Sequence, residues 1–267
     1  MEADLAKLYR NYFTHASAPQ QPRGWRRFVP PVTALTRGFF RWTPLHRARR
    51  RAASMYLTRL APGRVLDVGC GNGDRLAFLR AQGWDVVGQE IDPAAARVAA
   101  ARHGVAVHIG RLGDVGLSPC SFDAVTLSHV IEHVPDPVDL LRTCRRLAKP
   151  GGAIVGVTPN LDSWGHRRFG SRWLGLDPPR HLHLFSPISL RIAAERAGLT
   201  PLVWTTAANA EFIGAGSLDL TWQGFHRIGG GGRPHRDAVA ALLQIAASAR
   251  HVVDRQSGDE CVLYATA

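Results

Sequence analysis

Two groups of residues in this 267-residue chain have the types and spacing to do chemistry. The first is Val65-Leu66-Asp67-Val68-Gly69-Cys70-Gly71-Asn72-Gly73-Asp74, an apolar run that ends in an acid and continues with glycines at alternate positions. Glycine lets the backbone bend sharply and a ligand approach closely. A helix that starts there points unpaired N–H groups back into the gap, which suits a nucleotide-like ligand. The second group is Ser128, His129, Glu132 and His133, with His181 and His183 further on. Imidazole titrates near neutral pH, so His129, His133, His181 and His183 are candidate general bases.

The elements that would position these groups follow a βαβ rhythm. Strand 64–69 runs into the glycine turn and helix 74–82, with Leu76, Phe78 and Leu79 as its apolar face. Strand 85–90 ends in Glu90, twenty-three residues past Asp67, where a carboxylate can hydrogen-bond ribose hydroxyls. Asp92-Pro93 opens an alanine-rich helix that His103-Gly104 closes. Strands 105–109 and 122–127 follow, then a helix to Ala148, a turn through Lys149-Pro150-Gly151-Gly152 and strand 153–157. A helix over 187–197, a sixth strand at 200–205, a loop-rich stretch at 207–237 with a Gly229–Gly232 joint, a helix over 238–251 and a last strand at 260–264 complete the reading. Strands alternating with helices predict an α/β fold with a mostly parallel sheet covered on both faces. Ligands in such sheets bind beyond the carboxyl ends of the strands, which is where Ser128 and His129 fall.

The glycine turn is not a dinucleotide fingerprint, because Asp74 follows Gly73 and its carboxylate competes with a pyrophosphate for the same N–H groups. The pattern Asp67-x-Gly69-x-Gly71-x-Gly73 instead resembles motif I of class I S-adenosylmethionine (SAM) dependent methyltransferases. Gly110-Arg111-Leu112-Gly113-Asp114 is similar to that family's adenine loop, Ser121-Phe122-Asp123 to its motif II and Leu147–Gly152 to its motif III turn. Ser128-His129-Val130-Ile131-Glu132-His133-Val134, Thr158-Pro159-Asn160 and Pro179–Ser186 resemble segments of small-molecule and ubiquinone-type members. The likeness covers about residues 60–200.

It implies a Rossmann-like class I fold with a seven-stranded sheet, an antiparallel last strand, and cap and lid insertions. It also implies SAM as cofactor, held by Asp67, Gly69, Cys70, Gly71, Gly73, Glu90, Ile91, Leu112, Gly113, Ser128 and His129. Arg111 stands where many relatives carry an aspartate for the adenine amino group, so that role passes to the backbone of Leu112 and Gly113 or to Asp114. The implied reaction is methyl transfer to oxygen of a small or lipid-linked metabolite. His133 or His181 would be the base, with His129 beside the methyl group.

Plainer roles stand beside these. Glu132 and His133 suit a capping and packing pair, and either of His181 and His183 suits a staple for the lid; alternation sends both the same way if the stretch is extended. His129-x-x-Glu132-His133 is also similar to a divalent-metal site in some ubiquinone-pathway methyltransferases, with histidine replacing an acid. No metal ligand is assigned on that ground. Ser118-Pro119-Cys120 precedes the fourth strand rather than following it, and Asp177-Pro178-Pro179-Arg180 has arginine for the aromatic of base-directed enzymes. Both argue against methylation of nucleic-acid bases.

Composition bounds the rest. The formal charge of +12, from 33 Lys+Arg against 21 Asp+Glu, favours anionic partners. Residues 1–60 read as a basic, aromatic cap and 61–267 as the catalytic domain, with a lid at about 161–186 and an insertion at about 207–250. Tyr9, Tyr12 and His15 of the cap are candidates to face the substrate, and the cap is a candidate for peripheral membrane contact. Cys70, Cys120, Cys144 and Cys261 are widely spaced, with no C-x-x-C pair, which fits a reducing cytoplasm. No basic-then-apolar leader and no run of roughly 18 apolar residues is visible. The alternatives are an RNA-modifying methyltransferase and a noncatalytic SAM-binding protein.

Overall fold

The computed structural model describes residues 43–226 and 233–267. Tyr9, Tyr12, His15 and the Gly229–Gly232 joint lie outside them. Helix α1 (Pro44–Ala53) precedes the sheet, and strand β1 (Arg64–Val68) leads through the glycine turn into α2 (Asp74–Arg80). Then come β2 (Asp85–Glu90), α3 (Pro93–His103), β3 (Ala106–Ile109), β4 (Phe122–Ser128), α4 (Pro137–Leu147) and β5 (Ala148–Pro159). Asp92 and Asp136 cap α3 and α4 in the same way. Each accepts N–H groups from the following turn, with proline at the first helical position, where its missing N–H costs nothing.

The chain continues through α5 (Trp164–Phe169), α6 (Pro187–Arg196), β6 (Thr200–Thr206), α7 (Ala210–Gln223), α8 (Pro234–Val253) and β7 (Glu260–Thr266). The strand order is β3-β2-β1-β4-β5-β7-β6. The first five strands are parallel, and β7 inserts antiparallel to both β5 and β6. This is the expected doubly covered sheet with its antiparallel last strand. Alternation along the strands splits the core in two. Leu66, Val125, Ile154 and Leu263 pack on α4 and α6 on one face, while Val65, Leu76, Leu79, Val155 and Val262 fill the other.

The loop-rich reading of 207–237 is corrected: Ala210–Gln223 of it is helix α7, which packs along α8. Gly214 and Gly216, which look like loop residues, are contact points. A Cβ on Gly214 would lie 3.2 Å from Leu243, and one on Gly216 would lie 2.5 Å from Leu174. The two glycines let neighbouring elements approach closely, and that packing outweighs their poor helix propensity.

Candidate active site

The glycine turn folds as its residue types dictate. Gly69, Gly71 and Gly73 all have positive φ, at 64°, 56° and 78°. At Gly69 a Cβ would also lie 2.5 Å from the Val130 side chain, so the turn is pressed against the segment that follows β4. Glu90 crosses from the end of β2 to this turn. One of its carboxylate oxygens accepts the Gly71 N–H at 2.8 Å and the other accepts the Asp92 N–H at 3.0 Å. Each keeps a second lone pair for a ligand hydroxyl. Asp67 is buried beneath the turn and accepts the Thr126 hydroxyl at 2.7 Å. Burial raises its pKa, and Arg75 and Thr126 oppose the shift.

Cys70 points away from the ligand side. Its sulfur packs where a Cβ on Gly88 would stand, in the core cluster with Leu76. Any contact of Cys70 with a cofactor therefore falls to its backbone. Ile91 is exposed after Glu90, Leu112 is buried, and a Cβ on Gly113 would meet open space. These three flank the mouth of the cleft at the carboxyl ends of β2 and β3.

At the end of β4, Ser128 accepts a hydrogen bond from the Arg75 guanidinium at 2.8 Å. This bond ties the first turn of α2 to the β4 terminus. His129 follows in the left-handed region, φ 55°. Its Nδ1 lies 3.3 Å from Glu132 Oε1 and its Nε2 lies 3.1 Å from Glu260 Oε1. Both acids are buried, and Asn209 donates to both oxygens of Glu260 at 3.1 and 3.0 Å. Burial works against a charged His129 ring, but the two carboxylates outweigh it and lift its pKa to about 10. At neutral pH His129 is therefore a cation with both ring nitrogens engaged.

Glu132 is completely buried, and among the described residues neither of its oxygens receives a well-aligned hydrogen bond. Burial would raise its pKa, yet His129 and the other two imidazoles hold the carboxyl below its ordinary value. Its carbonyl accepts the N–H groups of Leu182 and His183, which anchors that segment over it. His133 and His181 stack edge to face with ring centroids 4.6 Å apart. His133 Nδ1 faces the Arg180 carbonyl at 3.0 Å and His181 Nδ1 faces the Gly175 carbonyl at 2.8 Å. A ring nitrogen beside a carbonyl carries its proton, which leaves each Nε2 as the acceptor in the neutral ring. Burial, reinforced by His181, lowers the pKa of His133, and the Glu132 carboxylate opposes that shift.

His181 and His183 do not point the same way. The His181 side chain is 8% exposed over Glu132, whereas His183 is half-buried and faces the Pro135 carbonyl at 3.3 Å. The stretch is not an extended ladder, so alternation does not govern it.

One ligand atom each from Glu132, His133 and His181 lie within 4.8 Å of one another. A buried carboxylate whose ligand atom converges with those of two imidazoles has the donor set of a divalent-cation site. His129 is not the third member of this trio, because Glu132 and Glu260 take its nitrogens. A cavity of about 360 Å3 lies beyond Asn209, lined by Arg49, Glu211, Phe212, Ala215 and Ala240 among others. Three contributors here escaped the sequence reading. Arg75 was legible in principle as a cation in the first turn after the glycines. Glu260 and Asn209 carry no local signal, since strand order alone brings them beside His129.

Comparison with known proteins places the fold in a family. A family model described as a methyltransferase domain matches residues 45–203. Ubiquinone biosynthesis O-methyltransferase from Ralstonia nicotianae is 35% identical over 154 residues, which is 53% of this chain and 65% of the relative. The protein of the same name from Pseudomonas fluorescens is 33% identical over 153 residues, 53% of this chain and 66% of the relative. The chain thus spans just under two thirds of the length of these curated relatives. Among solved structures, a SAM-dependent methyltransferase of Thermotoga maritima, a possible histamine N-methyltransferase, shares the fold. It has a TM-score of 0.55 at 20% identity, covering 87% of this chain and 96% of that one. Phosphoethanolamine N-methyltransferase 2 of Haemonchus contortus, solved with S-adenosyl-L-methionine, aligns with a TM-score of 0.53 at 17% identity over 84% of this chain and 52% of that one.

Proposed function

We infer that this chain, which belongs to the methyltransferase domain family, moves the methyl group of SAM to an oxygen of a small or lipid-linked metabolite. SAM is the cofactor that goes with the family and the fold. The observation that carries the reading is the link between the two ends of the cleft. Arg75 joins the glycine turn to Ser128, and Ser128 leads directly into the His129, Glu132, His133 and His181 group. A sulfonium held by Asp67, Gly69, Gly71, Gly73 and Glu90 would have its methyl beside Ser128 and His129. Ile91, Leu112 and Gly113 would flank the adenine, and the backbone of Cys70 would complete the turn.

Methyl transfer is an in-line displacement, so most of the protein's contribution is alignment. An acceptor hydroxyl loses its proton to a base as the carbon–oxygen bond forms and the carbon–sulfur bond breaks. The products are a methyl ether and S-adenosylhomocysteine. His181 is our assigned base: its Nδ1 is held by the Gly175 carbonyl and its Nε2 is the proton acceptor. His133 is the second candidate, and the cation at His129 favours an acceptor that bears developing negative charge. The O-methyltransferase relatives and the partly apolar cavity beyond Asn209 support a hydroxylated acceptor with an apolar portion. A divalent cation bound to Glu132, His133 and His181 would take up the same His181 lone pair and supply Lewis acidity in place of that base.

The test is incubation with labelled SAM and a fractionated cell extract, followed by identification of the labelled compound. Label in a methyl ether supports the reading; label in RNA, or none in any fraction despite SAM binding, overturns it. His181→Asn keeps a donor toward Gly175 but removes Nε2, and should lower kcat on the order of 100-fold with SAM affinity unchanged. Chelation should leave turnover within about twofold if His181 is the base. Loss of turnover on chelation, restored by magnesium, would reassign the trio to metal binding.

A further inference from the structure

Helix α8 is amphipathic in the wrong sense for a helix facing water. Its inner face buries Gln244, whose side chain accepts the Glu211 N–H at 2.9 Å and donates to the Ala207 carbonyl at 2.7 Å. Its outer face carries Leu242 at 65% exposure, Ile245 at 65%, Val252 at 67% and Val253 at 82%. Exposed alanines fill the positions between, and Arg250 is the one charged residue exposed between 238 and 253. The stretch from Leu242 to Val253, at about 1.5 Å per residue, gives an apolar strip on the order of 20 Å long. Such contiguous apolar surface marks an interaction site. The helix does not qualify as a membrane span.

The charges around the strip select the partner. Arg233 and Arg236 stand at its amino end, and Arg250 and Arg255 at its carboxyl end. Asp219, Asp237 and Asp254 offset part of that charge, and the chain as a whole carries a formal +12. Trp222 and Phe225, both near half exposed, sit at the amino end, where Trp222 stacks on His235 at 5.5 Å. A second copy is a poor fit for this face. Antiparallel pairing would set the arginines of one end against those of the other, and parallel pairing would set each cluster on itself. An apolar helix face with arginines at its ends and aromatics at its margin has the make-up of an interfacial anchor.

We propose that α8 docks this protein, apolar face down, on an anionic phospholipid bilayer. Leu242, Ile245, Val252 and Val253 enter the acyl boundary, and the exposed Arg233, Arg250 and Arg255 meet the headgroups, while Arg236 stays with Asp219 and Asp237. The proposal is independent of the reaction assigned above. It moves the membrane contact from the basic cap, where composition alone suggested it, to the α7–α8 hairpin.

Sedimentation of the full chain with vesicles tests it. The wild type should partition onto vesicles of equal parts phosphatidylglycerol and phosphatidylcholine about tenfold more strongly than onto phosphatidylcholine alone, and less as salt rises. Leu242→Glu with Ile245→Glu should weaken that partition about tenfold while melting like the wild type. Val252→Glu with Val253→Glu serves as an independent second variant. Partition of both variants equal to wild type overturns the proposal, as does a wild type that ignores anionic vesicles. Light scattering that finds a wild-type dimer and monomeric variants would assign the face to a second copy. Protease sensitivity gained within residues 1–42 of the variants, without any vesicle effect, would assign it to the chain's own segment.

Discussion

At His129 the two ring nitrogens face Glu132 and Glu260, so removing the ring strands two buried carboxylates with no cation between them. Breaking a buried pair from one side costs several kcal/mol, and the partial exposure of this ring reduces that. His129→Ala should therefore lose roughly 2–4 kcal/mol in denaturant unfolding. The pH dependence has a definite sign. Because the folded-state pKa is raised to about 10, the stabilisation is complete below the ordinary imidazole value and is lost as pH rises toward about 10. Wild-type melting temperature should fall across that window, and the Ala variant should show a flatter profile. Glu90 makes the complementary case at the cofactor end. Its carboxylate holds the Gly71 N–H and retains lone pairs for ribose, so Glu90→Ala should weaken SAM binding on the order of 100-fold by calorimetry. Unchanged affinity would remove Glu90 from the ribose site.

At the scale of elements, the segment from Trp173 to His181 ties packing to the proposed base. A Cβ on Gly175 would lie 2.4 to 2.6 Å from ring carbons of Trp173, which is itself fully buried. The Gly175 carbonyl is also the partner of His181 Nδ1. Gly175→Ala should cost about 2 kcal/mol of stability by denaturant titration and lower kcat more than SAM affinity, because the displaced carbonyl carries His181 with it. The same scale shows what the sequence could reveal. Strands β1, β2 and β4 announce themselves as short apolar runs beside glycine, proline and aspartate signals, and each ends within a residue of its expected boundary. The glycine turn and Glu90 were legible because their chemistry is local. Helix α7 was not, since Gly214 and Gly216 are there for neighbouring elements and resemble a loop in one dimension. The ring that His181 presents to Glu132 was legible as a residue but not as a direction, since the turn at 177–181 has no period to extrapolate.

For the whole molecule, the glycine turn and Glu90 come from the parallel half of the sheet, while Glu260 and Asn209 come from the antiparallel half and its helical hairpin. Electrostatic completion of the site thus depends on contacts between segments more than a hundred residues apart in sequence, as with Glu132 and Glu260. Such contacts form late in folding, because a long loop must close before they repay its entropy.

The insertion of β7 between β5 and β6 has a consequence for biosynthesis. Until residues 260–266 leave the ribosome, β5 presents an unpaired edge and β6 has no neighbour in the sheet. A nascent chain stalled with residue 250 just emerged should resist protease across β1 to β4 yet be cut readily between 200 and 250. Extending it past 266 should protect both regions together. The final strand then acts as a latch that withholds Glu260, and with it a settled cation at His129, until translation has passed every other strand of the sheet.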